Sequence, residues 1–143
     1  MSDALFETSD EALLISVYQR AGRTLDDLPY TEQFEQLFTA MYGPEGRDAP
    51  GVTRASLFHR LHNLRKAGKL PRLGRAQTSA PRIDSQQEEL LVGLVEQAVG
   101  KLSLRDRLLY TPEMDVVVDA FNTQTGLSLT PHDLWRVIAK LAK

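Results

Sequence analysis

The chain has 143 residues, 42% hydrophobic and 25% charged, with no Cys and a formal charge of −2. That composition is ordinary for a globular protein, and the lack of Cys excludes a disulfide scaffold, a thiol nucleophile and a Cys-based metal site. No apolar run reaches the ~18 residues of a membrane helix, and the acidic start Met1–Glu7 lacks the basic residues of a signal peptide, so a cytoplasmic location without membrane contact is expected.

In chain order, apolar residues at 13, 14, 17, 18 and 21 predict a helix over 10–21, with Thr8 and Glu11 as a capping box and Gly22 as its stop. A second helix is expected over 31–42, with Phe34, Leu37, Phe38 and Met41 on one face. Residues 43–51 read as a loop from their Gly and Pro content. Thr53 caps a third helix to about Ala67, whose apolar side is Leu57, Phe58, Leu61 and Leu64. Residues 77–85 read as a linker between a unit at 1–76 and a second at 86–143. Ser85 and Glu88 form a further capping box before a helix over 86–99. The Thr111-Pro112 and Thr130-Pro131 pairs open helices over 112–122 and 131–142. Strand alternation is absent, apart from at most a short extended pair around Lys69–Arg75. The expected fold is all-α or nearly so.

The two halves look alike. Tyr30-Thr31 matches Tyr110-Thr111 at the head of equivalent helices. Leu57, Phe58, Leu61 and Leu64 match Leu134, Trp135, Ile138 and Leu141. The reading is two tandem three-helix, helix-turn-helix-like units, the second a degenerate repeat.

Charge distinguishes them. Residues 1–50 hold ten acids against three bases, net −7. Residues 51–83 hold eight bases and no acid, net +8. Residues 84–143 hold nine acids against six bases, net −3. A near-neutral total therefore conceals a basic block on the third helix and the segment behind it. The face of that helix opposite its apolar side presents Ser56, His59, His62, Asn63 and Lys66, with Arg60 and Arg65 on the flanks. Asn, Arg, Ser and His without acids are side chains suited to reading base edges in a major groove.

Leu61, Leu64, Gly68 and Leu70 resemble the helix–wing junction of winged helix-turn-helix DNA-binding domains, in which a basic hairpin follows the recognition helix. The resemblance covers about residues 10–76 and rests on some 15 of them. It implies a short β wing in the first unit, base contacts from Ser56, His59, Arg60 and Asn63, and phosphate contacts from Arg54, Arg65, Lys66, Lys69, Arg72 and Arg75. Pro71 in the wing limits strand pairing there. The implied function is DNA binding in transcription regulation. The alternative is a non-enzymatic interaction module whose basic face docks an acidic partner, or its own acidic first helices.

In the second unit, Asp133, Arg136, Val137, Ala139 and Lys140 replace Ser56, His59, Arg60, His62 and Asn63. Asp133 would repel phosphate, while Val137 and Ala139 would extend an apolar surface. Residues 86–143 are therefore expected to be a weak DNA reader or, in preference, a module that self-associates or docks a protein. His59 and His62 lack a third ligand in a cationic neighbourhood, so no metal is expected. Trp135 reads as core, and Asp26-Asp27 as caps or a solvated pair. No catalytic constellation or cofactor motif stands out, so an enzyme is not expected.

Overall fold

The computed structural model describes residues 2–74 and 79–143, with the backbone alone for residues 2–9. Among them are six α-helices, α1 Ser2–Ala21, α2 Glu32–Tyr42, α3 Arg54–Lys66, α4 Ser85–Val99, α5 Pro112–Thr125 and α6 Pro131–Leu141. Short 3₁₀ segments lie at 25–27, 44–46 and 102–108, and no described residue is in a strand. The chain divides into two compact units, Met1–Gln77 and Thr78–Lys143. No described helix is long and apolar enough to cross a membrane.

The helix boundaries follow their caps. Thr31 accepts a hydrogen bond from the Phe34 amide, so α2 starts where its Thr can satisfy an orphan donor. Thr53 and Ser56 cap α3 reciprocally, as do Thr130 and Asp133 for α6. Two caps differ from expectation. Residues 2–9 continue α1, so Thr8 lies inside the helix and not at its N-cap position. For α4 the box is Asp84 with Gln87, one residue earlier than Ser85 with Glu88. Asp is as good an N-cap as Ser, and Gln serves as the third residue as well as Glu. Helix α5 runs beyond 122 to Thr125 and ends at Gly126 in the left-handed region.

The 43–51 loop is partly ordered by a 3₁₀ turn that buries Gly46. A Cβ there would lie 3.2 Å from the Phe38 ring, and its φ is +74°. Only glycine brings backbone that close to the ring without strain.

Each unit has its own core. In the first, Leu14, Tyr18, Leu25, Leu28, Phe34, Leu37 and Phe38 surround the predicted apolar side of α3, and Leu57, Phe58, Leu61 and Leu64 are all buried. In the second, Leu91, Val95, Leu108, Met114, Val117 and Phe121 enclose Leu134, Trp135 and Ile138. Val137 and Ala139 are buried here too, at 2% and 1% exposure, so they do not extend an apolar surface. A period of 3.6 places 137 beside 134 and 138, and α6 sits close enough to its neighbours to enclose that wider stripe. The backbone of α6 packs closely against α5, whereas α3 keeps further from α2.

One local geometry occurs in both units. Tyr30 and Tyr110 have φ of 63° and 58°, in a region that bulky residues rarely adopt. Each is followed by a Thr whose hydroxyl donates to a Leu carbonyl three residues back, Thr31 to Leu28 and Thr111 to Leu108, both at 2.6 Å. The chain thus turns from a 3₁₀ segment into a helix the same way twice. Tyr30 and Tyr110 are the residues in that reversed backbone position.

Candidate nucleic-acid interface

Nine of the ten residues expected to meet nucleic acid are described, and they divide into four groups. The first braces α3 against the rest of its unit. Arg54 grips Glu35 of α2 with three hydrogen bonds of 2.6–2.9 Å. Its guanidinium also lies 4.8 Å from the centre of the Phe38 ring and 3.6 Å from Glu45. The hydrogen bond to Glu35 raises the Arg54 pKa. Arg60 pairs with Asp10 of α1 and donates to the Tyr42 hydroxyl. Burial opposes its charge, but the bonds to Asp10 and Tyr42 overcome that and raise its pKa. Both cations are locked by geometry as well as charge.

Arg65 and Lys69 are held more loosely. One Arg65 nitrogen lies 3.3 Å from Asp26 and the other 3.3 Å from His62 Nδ1. Lys69 reaches Glu11 at 3.3 Å. Exposed single contacts of this kind contribute at most about 1 kcal/mol and yield easily to a competing anion.

Ser56 also leaves the set of base readers. Its hydroxyl donates to the Thr53 carbonyl at 2.8 Å and accepts from the Thr53 amide at 2.9 Å, so capping uses its hydrogen-bonding capacity. The Thr-x-x-Ser spacing at 53–56 carried that signal in the sequence. Likewise, nothing in the sequence periodicity separates an Arg that faces solvent from one that reaches an acid on a neighbouring helix.

The remaining group is exposed to solvent. His59, Asn63 and Lys66 are exposed and recur at intervals of four and three residues, in one stripe along the outer side of α3. His62 is half-buried beside the stripe. Lys66 and Arg72 have no acidic partner among the described residues, and both are exposed. Arg72 lies in the irregular segment after α3. No ladder forms in residues 69–74, so the short β wing is absent there. Pro71 supplies no amide donor to such a ladder. Arg75 lies outside the described residues, as does part of the expected 77–85 linker.

Two other expectations resolve locally. Asp27 is fully buried and ion-paired with Arg23 at 3.0 Å, while Arg23 also donates to Gln33. It is therefore an internal tie between the 3₁₀ turn and α2 and not a solvated acid. Trp135 is fully buried, as a core residue should be. Among the described residues no cluster of three His, Cys, Asp or Glu could hold a metal, and His59 with His62 acquires no third ligand.

Each unit also has a shallow groove between its first two helices. Val17, Arg20, Gln33, Gln36 and Leu37 line that of the first unit, with a volume of about 180 Å³. Leu94, Gln97, Glu113, Val116 and Val117 line that of the second, about 300 Å³. The residues correspond pairwise along the helices. Gln36 gives way to Val116, which is 66% exposed.

Compared with protein-family models, curated proteins and solved structures, the chain matches none.

Proposed function

We propose that the first unit binds DNA through the outer stripe of α3, His59, Asn63 and Lys66, assisted by Arg72, as a regulator of helix-turn-helix-like type. The observation that carries this reading is the stripe itself, a solvent-facing helix surface with hydrogen-bonding and cationic side chains and no acid. An exposed helix held only for solubility alternates Glu with Lys, which lowers its energy by i,i+4 pairing. Here the acids lie on α1, on α2 and in the turns before α2 and α3, where they tie down Arg54, Arg60, Arg65 and Lys69. Those pairs hold the helix in place and leave its outer stripe presented. Asn63 can make a bidentate contact with adenine, and His59 can contact a base edge. The two units are read as copies of one ancestral three-helix unit. The reversed Tyr30 and Tyr110, their Thr–Leu hydrogen bonds and the pairwise-matched grooves support that reading.

The test is a polarisation titration of the full chain on a labelled random duplex between 50 and 200 mM salt. Lys66 and Arg72 alone give a log–log salt slope of about −2, at about 0.9 per phosphate contact. A slope near −5 means that the paired cations leave their carboxylates for phosphates. Lys66→Ala should weaken all sequences and flatten the slope by about 1. Asn63→Ala should change base preference by about 1–3 kcal/mol. Absence of binding at 50 mM salt overturns the proposal.

A second reading has its own observation. Four cations of the basic block already engage carboxylates, so the same surface could dock an acidic protein segment. An acidic peptide that binds more tightly than duplex DNA at equal salt would favour it. In either reading residues 86–143, with exposed Val116, form the part suited to self-association or to a protein partner.

A further inference from the structure

A cleft of about 520 Å³ lies beside the C-terminal end of α3. It is walled by Tyr18 of α1, Leu25 and Asp26 of the first 3₁₀ turn, Arg65, and Leu70 and Arg72 of the segment that follows α3. Its volume is in the range that holds small organic ligands, which is about 300–1,000 Å³.

Its chemistry is divided. Tyr18 is 3% exposed and Leu25 likewise, so the inner wall is apolar and fixed by the core. Burial raises the Tyr18 pKa, with Arg65 opposing that rise. Among the described residues, two guanidiniums and one carboxylate share the rim. Arg72 has no acidic partner among the described residues. Arg65 contrasts with Arg54, whose fork is closed on Glu35 by three short bonds. Arg65 meets Asp26 through a single nitrogen at 3.3 Å. Its planar donor array can therefore accept a further carboxylate without dismantling a bidentate pair.

We infer that this cleft binds a small monocarboxylic acid with an apolar body, the carboxylate between Arg65 and Arg72 and the body against Tyr18, Leu25 and Leu70. The described rim residues carry one net positive charge, which matches a monoanion. A phosphate dianion would meet Asp26 and leave the apolar wall unused. The site shares Arg72 with the proposed DNA surface, but its lining excludes His59, Asn63 and Lys66.

The experiment is a titration of the isotope-labelled full chain with 2-naphthylacetate, 2-naphthylacetamide and inorganic phosphate, followed by amide chemical shifts. The acid should bind with a dissociation constant of about 1 mM or tighter, given the ligand efficiency of a molecule that size. Shifts should concentrate at Tyr18, Leu25, Leu70 and Arg72. The amide should bind roughly tenfold more weakly, and phosphate should leave Leu25 and Leu70 unmoved. Arg72→Gln changes an exposed residue, so the fold persists, and it should weaken the acid roughly fivefold. Asn63→Ala should leave acid binding unchanged whatever it does to DNA binding, which separates failure of this inference from failure of the DNA reading. Equal binding of acid and amide, equal effects of acid and phosphate, or an Arg72→Gln variant that binds as tightly as the parent would overturn it.

Discussion

Helix α3 carries charged side chains at positions where its counterpart α6 carries apolar or neutral ones. Arg54, Arg60 and Arg65 correspond to Pro131, Val137 and Ala142. In the first unit those cations reach across to Glu35, Asp10 and Asp26, and the backbone of α3 stays further from α2. In the second unit the corresponding positions are short, Val137 is buried, and α6 packs closely against α5. The difference teaches that a three-helix unit can fasten its last helix in two ways. Ion pairs at the periphery leave the outer side polar and presented. Apolar burial around more of the circumference leaves little surface to present.

The largest effects test what the two helices share. Phe58→Ala and Trp135→Ala remove matched, fully buried side chains and should each cost about 3–5 kcal/mol in urea unfolding. Hydrogen exchange should report the loss in the helices of the mutated unit. Loss of protection in both units from either change would break the picture of separate cores.

Exchanging the fastening comes next. Val137→Arg puts a cation where no acid waits and should cost about 3 kcal/mol or more. Arg60→Val does the reverse in α3. It frees Asp10 to water and adds apolar contact, so its net effect should stay within about 1 kcal/mol. Similar costs for the two changes in denaturant unfolding would show that the helices are fastened alike.

Smaller still is Glu35→Gln, which loosens the bidentate grip on a partly exposed Arg54 and should cost about 1 kcal/mol. Glu11→Gln, which touches only the exposed Lys69, should cost less than about 0.5 kcal/mol. If Glu11→Gln proves the costlier, the ranking of braces by geometry is wrong.

The smallest effect is alkaline. The Tyr18 pKa is raised in the folded state, so above about pH 10 the unfolded chain loses that proton first. The stability this tyrosine contributes is fully present below its ordinary pKa and declines as pH rises towards the folded value. Tyr18→Phe should remove that decline from the stability–pH curve. An unchanged curve would mean that the ring is not shielded as its burial implies.

Much of the helical frame was legible in the sequence. The spacing of Leu57, Phe58, Leu61 and Leu64 predicts the buried side of α3, and Thr53, Thr111 and Thr130 mark helix starts, because periodicity and capping act over a few residues. Thr8 and Ser85 misled for a related reason. Capping residues also occur inside helices, and only neighbouring backbone decides which one closes the end. The basic block was legible as well, but not its division. Arg54, Arg60, Arg65 and Lys66 are all cations on one helix. Which of them faces a carboxylate depends on residues 19 to 50 positions away, such as Glu35, Asp10 and Asp26.

The sequence by itself determined the helical composition and the concentration of positive charge in residues 51–83. These follow from local hydrophobic spacing, caps and counting. Only the tertiary structure decided that Arg54 and Arg60 brace their own unit, that Ser56 is a cap, and that His59, Asn63 and Lys66 stay exposed along one side of α3. The physical reason is range. Helix formation and charge density are set by near neighbours along the chain, whereas the partner of a charge is set by which helices the core brings together.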